Sequence, residues 1–80
     1  MVDAVTMEKV RTMEKRMELA IAYAMSRAVA AKSGAGYTAW YEAAGKFDDA
    51  YRAYRAGFAD AAWRLLRAAR QSAAFAESMK

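Results

Sequence analysis

Eighty residues with 13 Lys and Arg against 9 Asp and Glu, a formal charge of +4 and neither Cys nor His make one domain at most. The missing Cys and His exclude a disulfide and an ordinary zinc site, and they remove the commonest general base and the most reactive nucleophile. The chain therefore reads as non-enzymatic, with no metal, no cofactor and no small-molecule substrate. A domain this small buries only about 60% of its unfolded surface and is marginal without a staple, which leaves association with copies of itself.

Ala, Arg, Glu, Lys, Met and Leu favour helix, proline is absent, and no run of alternating β-branched residues suggests a strand. The expected fold class is all-α: an antiparallel helical hairpin with a kinked second helix, one domain over residues 1–80, assembling into a helical polymer. The opening Met1-Val2-Asp3-Ala4-Val5-Thr6-Met7-Glu8-Lys9 is not a basic region followed by an apolar core, so no secretory signal is expected.

Helix one is expected over about 3–32, starting at Asp3 or Thr6. Val10, Met13, Met17, Ala20, Ile21, Ala24, Ala28 and Ala31 recur at spacings of three and four and form one apolar stripe. Residues 19–31 are the most apolar stretch, with Arg27 the only charge in it and Ser26 beside it. They are too few to span a bilayer, which takes about 20 residues. Leu19, Ala22, Tyr23, Met25 and Val29 lie off the stripe, so this segment is apolar nearly all round. A helix apolar on every side is buried on every side, and one partner helix cannot do that. Exposed patches of that size mark interaction sites. These five residues, with Trp63 and Phe75, are the expected subunit interface.

A turn is expected over 33–38, with Gly34 as a left-handed C-cap and Thr38 capping the next helix. Ser33-Gly34-Ala35-Gly36 lacks the spacing and strand context of a phosphate-binding loop and reads as this turn. Helix two is expected over about 39–78, with a stripe of Trp40, Ala44, Phe47, Tyr51, Tyr54, Phe58, Leu65, Ala69 and Ala76. Gly45 and Gly57 interrupt it. The expected break is a kink near 45–48 with Asp48 or Asp49 restarting the helix; a true three-helix chain is the alternative.

The charge is uneven. Residues 61–80 hold Arg64, Arg67, Arg70 and Lys80 against Glu77 alone. Asp48 and Arg52 stand four apart, as do Asp60 and Arg64, in the order that favours helical ion pairs. Arg27, Lys32, Arg55, Arg67 and Arg70 have no acid three or four residues away and need water, another subunit or an external anion. The row Arg64, Arg67, Arg70 can neutralise phosphates without reading sequence. An ordinary solvated face, with Trp63 beneath an arginine, is the plainer reading. Repetition of the row in an assembly makes a continuous cationic lining. Arg55, Arg64, Arg67, Arg70 and Lys80 are the expected nucleic-acid contacts.

A short helical hairpin, alanine-rich surfaces around Leu19-Ala20-Ile21-Ala22-Tyr23-Ala24-Met25 and the basic row at Arg64, Arg67 and Arg70 resemble the coat proteins of rod-shaped archaeal double-stranded DNA viruses, the clavavirus type. The absent Asn and Cys suit a hot-living host, although six methionines run against that. The resemblance implies a helical capsid around packaged DNA, with basic side chains lining the lumen and the protein located in the virion. Filamentous phage coats are similar in layout but are single helices with a membrane-length apolar segment. The expected function is thus a major capsid subunit, with copies of itself and double-stranded DNA as partners. The rivals are a pilus or other extracellular filament subunit, a small dimeric DNA-binding bundle, and a helical adaptor for another protein.

Overall fold

Alanine-rich sequence without proline folds into helix wherever one face can be covered. The computed structural model describes residues 4–79 and contains three helices there: α1 (Ala4–Ala31), α2 (Ala35–Arg55) and α3 (Ala59–Ser78). The fold is all-α. Asp3, the side chain of Thr6 and Lys80 lie outside the described part. α1 and α2 form the expected hairpin, and α3 folds back along α2. α2 packs against both neighbours, while α1 and α3 barely meet, in a body of 48 × 19 × 17 Å.

The kink expected near 45–48 is not there. Gly45 sits inside an unbroken α2, one turn from the buried Ala43, Ala44 and Phe47, which hold that stretch against its neighbours. The real break is at 56–58, so the three-helix alternative is the correct one. There Gly57 takes φ 91°, its N–H donates to the Tyr54 carbonyl at 3.1 Å, and the Phe58 N–H reaches back to the Ala53 carbonyl at 2.9 Å. This pair of bonds is a Schellman ending, which needs a left-handed residue at the position of Gly57. Gly45 merely carries the helix-interior cost of about 1 kcal/mol relative to alanine.

The first turn also differs from expectation. α1 is ended by Lys32, a non-glycine residue at φ 67°, while Gly34 caps the start of α2 with φ 88° and ψ −163°, a region essentially confined to glycine. α2 therefore begins before Thr38, whose hydroxyl bonds back to the Gly34 carbonyl at 3.2 Å instead of capping a helix. Two left-handed residues within three let the chain reverse in so short a link.

The break at 56–58 resets the angular phase of the stripe. Phe58 is exposed, Leu65 is only half-buried, and Leu66 enters the core in its place. The core is thin. Among the described residues, Met17, Trp40, Phe47 and Leu66 are the only buried apolar side chains larger than alanine; the rest are alanines, among them Ala24, Ala28, Ala43, Ala50 and Ala69. Small side chains at helix contacts let the axes approach closely.

Gly57→Ala is expected to destabilise the fold by about 1–2 kcal/mol, because alanine pays for φ 91° although no neighbour lies within 4 Å of the new methyl. Urea denaturation followed by circular dichroism measures this. An unchanged midpoint would contradict a left-handed ending at this position.

Candidate functional site

The turns of α1 that face away from α2 and α3 should be polar in a monomer. They are predominantly polar only in its first half; in the second half Ser26 is an exposed polar residue among apolar ones. Beyond Glu18 the outer face carries Leu19, Ala22, Tyr23, Met25 and Val29, all exposed, with Leu19 at 58% and Val29 at 68% of full accessibility. Trp63 and Phe75 on α3 are exposed as well. All seven expected interface residues are thus available to a partner. Phe75 points to the side of α3 opposite Leu66, so it does not join Trp63 in one patch. Tyr37 and Tyr41, not singled out from the sequence, stack in parallel at 5.8 Å on the outer side of α2 and add to the exposed apolar surface.

Tyr23 has two roles. Its ring meets buried Trp40 edge-on at 5.6 Å, and Arg27 lies over the same indole at 5.4 Å. Arg27 is therefore not the free cation that spacing suggested: the face of Trp40 is its partner.

Arg55 is corrected in the same way. Its guanidinium donates to the Tyr51 hydroxyl at 3.2 Å and lies 5.6 Å from that ring, while the hydroxyl donates to the Glu18 carboxylate at 2.8 Å. The hydrogen bond to Tyr51 holds the guanidinium above its usual pKa, with Glu14 and Glu18 adding attraction. A residue already tied into an acidic α1–α2 network is a poor phosphate ligand. The partner acids come from α1, far away in sequence, so helical spacing within α2 could not reveal them.

The Tyr51 hydroxyl is raised above its ordinary pKa of 10.0, first by the bond to Glu18, then by partial burial, with Arg55 opposing. A phenol whose folded pKa is raised adds stability that is complete below the unfolded pKa and lost as pH climbs through the folded value. The stability difference between wild type and Tyr51→Phe is thus expected to be constant below pH 10.0 and to shrink above it. Urea titrations across alkaline pH read this. A difference that does not change would contradict the Tyr51–Glu18 bond.

On α3, Arg64, Arg67 and Arg70 are all exposed. Asp48 and Arg52 pair at 2.9 Å, the only ion pair among the described residues, so the pair expected between Asp60 and Arg64 does not close. The three arginines share a hollow with Trp63 and Leu66, yet none of them stacks on Trp63 among the described residues. Trp63 instead leans toward α1, lining a hollow with Met13, Arg16 and Tyr54. Arg16 and Arg70 come together beside Phe47 where α1 and α3 stand apart. The sequence reading missed Arg16, although it too has no acid three or four residues away.

No helix among the described residues is long and apolar enough to cross a membrane. No group of three or more metal-type side chains gathers among them. No family model, no curated protein and no solved structure matches the chain.

Proposed function

We propose that the chain is a structural subunit, the major capsid protein of a rod or filament, which assembles with copies of itself around double-stranded DNA and resides in the virion. One observation carries this reading: among the described residues most large apolar side chains are exposed or only partly buried, and the buried positions are chiefly alanines. Leu19, Tyr23, Met25, Val29, Trp63 and Phe75 are exposed, whereas among the described residues only four side chains larger than alanine, those of Met17, Trp40, Phe47 and Leu66, are buried. Burying one such side chain contributes about 1.5–3 kcal/mol, so this exposed surface holds several such contributions for an interface.

The basic row supports DNA as the enclosed partner. Arg64, Arg67 and Arg70 have no ion-pair partner among the described residues, and their repetition along a polymer makes a cationic surface that favours a polyanion. Lys80 belongs to the same proposed set, and Arg55 drops out of it. Contacts of this kind are to phosphates, so binding is independent of sequence and weakened by salt.

Purified assemblies are expected to hold nuclease-protected DNA and to appear as rods in negative stain. Tubes without nucleic acid would move the reading to an extracellular filament, and a discrete dimer would move it to a small DNA-binding bundle. Arg67→Ala is expected to lower the slope of log affinity against log salt by about 0.9, with equal loss on every duplex sequence. Fluorescence anisotropy with labelled duplexes measures this. An unchanged slope, or a loss confined to one sequence, would contradict a phosphate contact.

A further inference from the structure

Two hollows meet at the indole of Trp63, which is 48% exposed. One runs toward α1, where Lys9 and Arg16 line it, with Tyr54 of α2 in its wall. The other lies along α3 and is lined by Arg64, Arg67 and Arg70. These three follow Trp63 within about 10 Å along the helix and about 100° around it. Five cations thus stand about one aromatic ring. The acids beside them are Glu8, in the wall toward α1, and Asp60, one turn before Arg64. Neither pairs with any of the five among the described residues, so positive charge is in excess there, five against two. None of the five lies over the Trp63 ring among the described residues, in contrast to Arg27 over Trp40.

Phosphate contacts account for the cations and leave the indole without a role. An apolar partner seated on Trp63 would strip water from those cations without neutralising them, which is costly. A polyanion neutralises them. An aromatic face within a basic surface suits a nucleic-acid strand whose bases are free: a base ring stacks on the aromatic ring while Lys and Arg hold the backbone. In a duplex the base faces already stack on one another, so a duplex engages the same cations without the indole.

We propose that Trp63 is a stacking platform for an unpaired nucleobase, with Arg16 of α1 and Arg67 of α3 on the flanking phosphates, so that single-stranded nucleic acid gains a contact that a duplex lacks. This rests on the nucleic-acid part of the reading above and adds the bases to it. Trp63 then belongs to the nucleic-acid surface and not to the contact between copies. Every base has a ring face, so the contact is tolerant of sequence.

The test compares three labelled probes of one length by fluorescence anisotropy: an oligothymidylate, an abasic strand with the same phosphates, and a duplex. Wild type is expected to bind the oligothymidylate about 5–100-fold more tightly than the abasic strand, the range for one stacked base. Trp63→Ala is expected to bring those two affinities together while leaving helicity, salt slope and the affinities for abasic strand and duplex unchanged. Trp63→Phe is expected to keep part of the preference and serves should alanine disturb the fold. Oligothymidylate is also expected to quench indole emission in wild type and not in Trp63→Phe, where buried Trp40 is the remaining indole. Equal binding of oligothymidylate and abasic strand by wild type, a preference that survives Trp63→Ala, or a loss equal on all three probes would overturn the stacking site, whatever the variant does to assembly. Wild-type chain that binds none of the three would overturn the nucleic-acid reading itself, so the two failures are distinguishable.

Discussion

Trp40→Ala is expected to remove about 3–5 kcal/mol from the isolated fold, the range for truncating a buried aromatic. Trp40 is only 4% exposed and is one of four buried side chains larger than alanine among the described residues. It also anchors the edge of Tyr23 and the guanidinium of Arg27 across the α1–α2 contact. A chain of 80 residues has a total stability of roughly 4–12 kcal/mol at 0.05–0.15 kcal/mol per residue, so this one truncation takes most of the lower figure. Alanine neighbours such as Ala43 and Ala44 have no reach to fill the hole. Thermal unfolding by circular dichroism, in a background that does not assemble, measures the loss. A variant melting within a few degrees of its parent would show that the core does not depend on Trp40.

The second large effect is on assembly. Leu19→Glu combined with Val29→Glu is expected to leave the helical fold intact and weaken association by about 10²–10⁴-fold. Both side chains are more than half exposed and belong to no core cluster, so the isolated chain loses little by their replacement. In an interface each contributes about 1.5–3 kcal/mol, or 3–6 kcal/mol for the pair, and every 1.4 kcal/mol is a factor of ten. Placing two carboxylates in an apolar contact adds a desolvation penalty in the same direction. Sedimentation velocity over a concentration series reads the change. Unaltered assembly of the double variant would remove the outer face of α1 from the interface. The double variant also supplies the unassembled background needed for Trp40→Ala.

Local signals in the sequence were enough for helix type, for the hairpin turn near Gly34, and for most of the α1 stripe, because these depend on residues three or four apart. The second break was harder. Gly45 and Gly57 look alike as letters, yet only Gly57 adopts a positive φ, and the choice was made by packing of Ala43, Ala44 and Phe47 against other helices. Asp60, which falls in the first turn of α3, was the available clue that a helix restarts there.

The candidate surfaces were legible to different degrees for the same reason. Exposure of Leu19, Tyr23 and Val29 follows from the angle around α1, which the sequence carries. The fates of Arg27 and Arg55 do not, since Trp40 and Glu18 reach them from other helices. The juxtaposition of Arg16 and Arg70 likewise needs α1 and α3 side by side. A two-helix reading has no such neighbour relation.

Light scattering on wild-type chain, diluted stepwise in low salt and in the presence of duplex DNA, bears most directly on the claim that this outward apolar surface drives assembly. Large particles that persist on dilution and image as rods are the expected result. A monodisperse, fully helical single chain at every concentration would contradict it.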